Sequence, residues 1–116
     1  MSILEILKEP DPILRKQSEE VKNVDGSLQR LMDNMLETMY EAPGIGLAAP
    51  QVGILKRVIV IDLAKEDEPK KPLYMINPKI LWKSEELISR EEGCLSIPGH
   101  FAEVARPSKC KVQYLD

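Results

Sequence analysis

The sequence predicts an α+β fold in which antiparallel strands pack around one amphipathic helix spanning Leu28 to Tyr40. Three patterns carry that prediction. Leu28, Leu31, Met32, Met35, Leu36 and Met39 recur at three- and four-residue steps, placing them on one helical face. Val58, Ile59, Val60 and Ile61 form a continuous β-branched run, as in a strand covered on both faces. Lys109 to Tyr114 alternate Cys110, Val112 and Tyr114 against Lys109, Lys111 and Gln113, the period of a half-buried strand.

Along the chain, Pro12 suits the first turn of a short helix through Ile13, Leu14 and Lys16, where its missing N–H costs nothing. Asp25 and Ser27 are cap candidates for the main helix. That helix stops near Ala42, because Pro43 disfavours helical geometry in the residue before it and Gly44 opens other backbone angles. A central strand follows over Arg57 to Leu63. The charged stretch Ala64 to Pro72, with two prolines, reads as an exposed loop, and the Lys65 to Lys71 charges as solvated. A second strand is expected at Leu73 to Asn77. Pro78 ends its pairing, Ile80 to Lys83 resume it, and Leu87 to Arg90 lead into a glycine-containing segment. Trp82 and Tyr74 are expected to pack the sheet. A last strand running to Asp116 without a covering layer suggests a polypeptide that continues.

Composition narrows the function. A chain of 116 residues, 43% apolar, supports one domain with a modest core. The 16 basic and 19 acidic residues are spread along the chain without a basic stripe, so nucleic acid is not expected as a direct ligand. No apolar run reaches membrane-spanning length, and Glu5 and Glu9 interrupt any leader-like character of Met1 to Pro10. A soluble, cytoplasmic protein with no membrane partner is the expectation, with Cys94 and Cys110 kept as thiols. His100 is the only histidine, which excludes any mechanism needing two imidazoles from these residues alone.

Two segments carry the chemistry. Gly44-Ile45-Gly46-Leu47-Ala48-Ala49-Pro50-Gln51 sets small residues between helix end and strand, allowing close approach of another backbone or an extended ligand. Gln51 adds a neutral amide donor of the kind that stabilises an oxyanion. The plainer reading is a tight connection with a hydrogen-bonded glutamine. Glu91-Glu92-Gly93-Cys94-Leu95-Ser96-Ile97-Pro98-Gly99 leaves a thiol accessible beside carboxylates, fit for a metal; the plainer reading is a small apolar side chain in the core. Met32, Met35 and Met39 read as core, and Arg106 could pair with Glu92.

Together the two segments resemble peptide deformylase. Gly44 to Gln51 is similar to that family's first signature, G-φ-G-φ-A-A-x-Q with φ apolar, and Glu92-Gly93-Cys94-Leu95-Ser96 to its second, E-G-C-L-S. The helix end Glu37-Thr38-Met39-Tyr40, the Val58 strand and Ile76-Asn77-Pro78 extend the likeness. The resemblance implies hydrolysis of the formyl group from N-terminal formyl-methionine of new polypeptides, using Fe(II), with Zn or Ni as substitutes. In the family the metal is held by the cysteine of the second signature and two histidines of a later H-E-x-x-H helix, whose Glu is the general acid and base. Carried over, Cys94 is the thiolate ligand, Gln51 the side-chain oxyanion donor and Leu95 the backbone donor. Gly44, Ile45 and Gly46 form an edge that binds substrate as an added strand, and Glu92 and Gly93 are further substrate-binding positions.

H-E-x-x-H does not occur in these residues, so they read as an incomplete deformylase-like domain, with the family's C-terminal helix absent. Weak or no metal binding is expected of this chain alone, because one ligand does not hold a catalytic metal. Neither His100, expected in a solvent-facing loop, nor Cys110, expected as buried packing, is taken as a substitute ligand. Partners implied are the formyl-methionyl peptide, nascent chains leaving the ribosome, and a C-terminal fragment or second copy of the chain. Two other classes stand beside the enzyme. One is a deformylase-like module that binds peptide without catalysis. The other is a metal-free cysteine hydrolase using Cys94, Gln51 and His100.

Overall fold

The computed structural model describes residues 3–65 and 67–115. Met1, Ser2, Glu66 within the expected loop, and Asp116 at the expected strand end lie outside the described residues. Its architecture is α+β: one long helix against a four-stranded antiparallel sheet, and a separate two-stranded ribbon.

Pro12–Arg15 form a single 3-10 turn capped by the Asp11 carboxylate, which accepts from the Ile13 N–H. Helix α1 spans Gly26–Glu41. Of the two cap candidates the structure uses Asp25, whose carboxylate accepts from the Leu28 N–H at 3.0 Å, placing Ser27 inside the first turn. The helix stops near Ala42 as expected, but not by the expected route. Ala42 keeps right-handed helical angles (φ -59°, ψ -33°), and the ladder ends because Pro43 has no N–H to donate, the Met39 carbonyl accepting from Gly44 instead.

Strands β1 (Gly46–Ala48), β2 (Val58–Ile61), β3 (Leu73–Lys83) and β6 (Cys110–Leu115) form the larger sheet in the order β1-β2-β3-β6. Register pairs Leu47 with Val60 and Val58 with Ile76. The face carrying Leu47, Val58, Val60 and Ile76 meets Leu28, Met32, Met35 and Met39 of α1, and these side chains make the core. The expectation that β2 is covered on both faces is corrected: Ile59 and Ile61, on the face away from α1, are only half-buried, since α1 covers one side.

Four further expectations change. Strand β3 runs through Pro78, because the register shifts between Ile76 and Lys79 and no ladder bond is asked of the proline nitrogen. Asn77 takes a positive φ of 52° there, and its carboxamide bonds both the N–H and the carbonyl of Val21 at 2.8 Å. Trp82 is about half exposed (49%), and Cys110 is exposed at the end of edge strand β6, with Val112 and Tyr114 supplying the inward side. Ile97–Pro107, expected as loop around Gly99 and His100, is strand β5, paired along its length with β4 (Leu87–Cys94). Both faces of that ribbon are largely exposed, so it has no apolar period to read.

One polar cluster ties these parts together. The Tyr40 hydroxyl donates to the Asp62 carboxylate at 2.5 Å, and the same carboxylate accepts from the backbone of Ala64 and Lys71, fastening both ends of the 64–72 loop. Lys70 lies 4.3 Å over the Tyr40 ring. Hydrogen bonds from Tyr40 and the loop hold Asp62 below its ordinary pKa, while burial and the Asp62 carboxylate push Tyr40 up to about 12.

Two outcomes follow for stability. Met35, fully buried, should cost about 3 kcal/mol when truncated to Ala, read as a lowered urea midpoint. The raised Tyr40 value means its contribution is whole below the ordinary phenol value of 10.0 and is lost as pH climbs through about 12. A profile of urea midpoint against pH should therefore fall less steeply over that window in Tyr40→Phe than in the parent chain. The lowered Asp62 value sets the opposite limb, with stability lost as pH falls below the ordinary carboxylate range.

Candidate functional site

The end of α1 delivers the first glycine-rich segment to the sheet edge. The Gly44 N–H donates to the Met39 carbonyl at 2.7 Å, closing the helix, and a Cβ on Gly44 would stand 2.8 Å from Cδ1 of Leu95. Strand β1 then lies at the sheet edge with β2 on one side only. Asp62 N–H bonds the Ile45 carbonyl, so hydrogen-bonded pairs fall at Ile45/Asp62 and Leu47/Val60. By antiparallel alternation the N–H and C=O of Gly46 point away from β2, toward the open edge.

After β1, Ala49–Val52 form a 3-10 turn that Gly53 closes in the left-handed region, φ 85°. This turn aims Gln51 back across the chain. Its Oε1 accepts from the Ala48 N–H at 3.0 Å, and its Nε2 lies 3.5 Å from Cys94 Sγ and 3.2 Å from Ser96 Oγ. A backbone N–H can only donate, so the end of the carboxamide that meets Ala48 must be oxygen, which fixes the amide's orientation.

The second segment sits at the tip of the β4–β5 ribbon. Register shifts between Gly93 and Cys94, and Leu95 and Ser96 make the turn into β5. A Cβ on Gly93 would come within 2.6 Å of the Phe101 ring, which lies across the glycine. Ser96 is 4% exposed. The N-terminal arm crosses both segments: Leu7 N–H donates to the Gln51 carbonyl at 2.7 Å and Glu9 N–H to the Ser96 carbonyl at 2.9 Å.

Between these elements lies a cavity of about 680 Å³. Of the residues singled out in sequence, Gly44, Ile45, Gly46, Gln51, Gly93, Cys94 and Leu95 all line it. Glu92 lines a smaller adjoining one of about 250 Å³ and is held by Arg106 through bonds of 2.6 and 2.8 Å, the pairing expected. That guanidinium holds the Glu92 carboxyl below its ordinary pKa. His100 lines the cavity from β5, exposed, while the hydrogen bond to Cys94 Sγ comes from Gln51. Other participants were given no role in sequence, Ser96 being read only as a member of the second segment. Ile6 and Lys8 reach the cavity from the arm, and Ser96 holds Gln51. Only for Ser96 was there a signal, its place two residues after Cys94.

Among the described residues no three His, Cys, Asp or Glu side chains converge as a metal-binding group. Nor is any described helix long and apolar enough to cross a membrane.

Comparison with known proteins bears on this geometry. A family model described as polypeptide deformylase matches residues 3–116. The peptide deformylase of Phenylobacterium zucineum is 56% identical over 116 residues, covering 100% of this chain and 69% of that protein. That of Rhizobium meliloti is 53% identical, covering 100% and 67%. Among solved structures, peptide deformylase from Ehrlichia chaffeensis in complex with actinonin matches with a TM-score of 0.94 and 47% identity, over 100% of this chain and 70% of that one. A probable peptide deformylase from Synechococcus phage S-SSM7 matches with a TM-score of 0.90 and 50% identity, over 96% and 75%.

The anchoring of Gln51 is measurable. Gln51→Leu leaves the Ala48 N–H without its acceptor and should lower stability by about 1 kcal/mol in urea denaturation. Hydrogen exchange at Ala48 should quicken with it, whereas unchanged exchange would show the carboxamide is not the anchor.

Proposed function

The chain belongs to the polypeptide deformylase family, and on that premise we propose that its cavity receives the N-formyl-methionyl end of a newly made polypeptide. The family is one of enzymes, and its members hydrolyse that formamide. The observation that carries the reading is the meeting of Gln51 Nε2 and Cys94 Sγ, 3.5 Å apart, beside an edge strand with outward backbone groups.

In this reading the peptide lies along β1 as an added strand, bonded to the outward N–H and C=O of Gly46, with Gly44 and Ile45 flanking it. Small residues there let the two backbones approach. The formyl carbonyl then points between Gln51 and the Leu95 amide, and two neutral donors face the oxygen on which charge develops when the carbonyl is attacked. Glu92, neutralised by Arg106, and Gly93 border the mouth.

The family implies a metal cofactor. The described residues bring at most Cys94 and His100 to the cavity as soft donors, and a catalytic zinc-type centre takes three protein ligands. These residues do not fit a complete metal centre. For the chain of 116 residues we therefore propose peptide binding without turnover, the cytoplasm as its setting, and nascent chains as the source of ligand.

Titration of the isotope-labelled chain with formyl-Met-Ala-Ser, with formate assayed in the same samples, tests this. Saturable shifts at Gly44, Ile45, Gly46 and Gln51 without formate are expected. Formate release by the pure chain would overturn binding without turnover, and His100→Ala would then ask whether a cysteine–histidine hydrolase is responsible. Absence of shifts along β1 would sink the peptide reading itself.

A further inference from the structure

We infer that Ser96 is a positioning residue, whose buried hydroxyl sets the direction in which the Gln51 carboxamide presents its second N–H, the one that meets Cys94 Sγ. Its catalytic meaning rests on the reading of Gln51 as the oxyanion donor; the orientation itself does not. A glutamine side chain ends in a torsion with a broad, shallow preference, so an amide at its tip has no orientation of its own. Here both ends are held. Ala48 N–H takes Oε1, which leaves Nε2 and its two hydrogens on the side of Cys94 and Ser96. Ser96 Oγ at 3.2 Å accepts one of them, and the second is thereby directed to Cys94 Sγ at 3.5 Å, at the wall of the cavity.

Ser96 can do this because it is itself buried and tied through its backbone. It is 4% exposed, and its carbonyl accepts from Glu9, while Leu7, two residues earlier on the same arm, bonds the Gln51 carbonyl. The arm straps the backbones of donor and acceptor to each other, so their side chains meet at a set distance. The hydroxyl also suits the chemistry better than a carboxylate would. A charged acceptor would oppose negative charge developing on a carbonyl oxygen nearby, and a neutral one does not.

Side-chain NMR of the labelled 116-residue chain tests the assignment. The parent chain should give distinct Gln51 Hε signals with a nuclear Overhauser contact to the Cys94 Hβ protons. In Ser96→Ala those signals should collapse toward free-amide positions and the contact should vanish, with β2 amides unmoved. Ser96→Thr, which keeps a hydroxyl, should restore both. If Ser96→Ala does not fold, Ser96→Cys under reducing conditions keeps the volume with a weaker acceptor and should show the same loss. Unchanged Gln51 signals in the alanine or cysteine chain, or a folded threonine chain lacking them, would overturn the inference. With formyl-Met-Ala-Ser present, Ser96→Ala should keep the shifts at Gly44 to Gly46 and lose that at Gln51. If the parent chain shows no shift along β1, the peptide reading has failed while the Ser96 result stands.

Discussion

The methionine-rich face of α1 against β1, β2 and β3 is the contact on which the other parts of the molecule hang. Met32, Met35 and Met39 fill the space above Leu47, Val58, Val60 and Ile76, and unbranched thioethers adapt to the uneven surface of a twisted sheet. Polar bonds then index neighbouring segments to this packed pair. Buried Thr38 accepts from Leu4 N–H at 2.8 Å and donates to Asn34, drawing the N-terminal arm onto the helix. Tyr40 fixes the end of the helix to Asp62, the residue after β2. Because the arm is placed from α1, and β1 is placed from both α1 and β2, the two segments of the site inherit their separation from the core.

The site itself is a seam between two sheets with different supports. Its Gly44–Gln51 side belongs to the packed sheet, and its Glu92–Ser96 side to a ribbon whose strands pair only with each other. Gly44 against Leu95, Gln51 against Ser96, and Glu9 against Ser96 are the contacts that close it. Each uses a group without bulk or a group with two-ended bonding. This is why the segments read as glycine, amide and hydroxyl rather than as a patch of charge.

How much of this was legible follows from where burial writes a pattern. Helix α1 and the inward side of β6 at Val112 and Tyr114 leave a periodic trace because one face of each is drier than the other, whereas β2 shows itself by a continuous β-branched run that hides its one-sided burial. Strand β5 left none, since exposed ribbon residues are free to be of any type and Pro98 and Gly99 imitate a turn. Pro78 looked like a strand end because a register shift, which excuses its missing N–H, cannot be seen in one chain. At the site, the motif residues were legible by type and order. Lys8 and Ile6 were not, because their place depends on backbone bonds from an arm of ordinary composition.

The uneven support of the two sheets reaches beyond geometry. A two-stranded ribbon is marginal alone in water, so β4 and β5 depend on contacts at their two ends, the Ser84–Ser108 hydrogen bonds at the base and the Gly44, Gln51 and Glu9 contacts at the tip. Amide protons of the ribbon should then open to solvent by local fluctuation, while those of β2 open only with global unfolding. Any molecule bridging β1 and the Cys94 turn would close that gap in protection. Occupancy would be felt as a stiffening of the outlying ribbon, with the packed half of the fold hardly registering it.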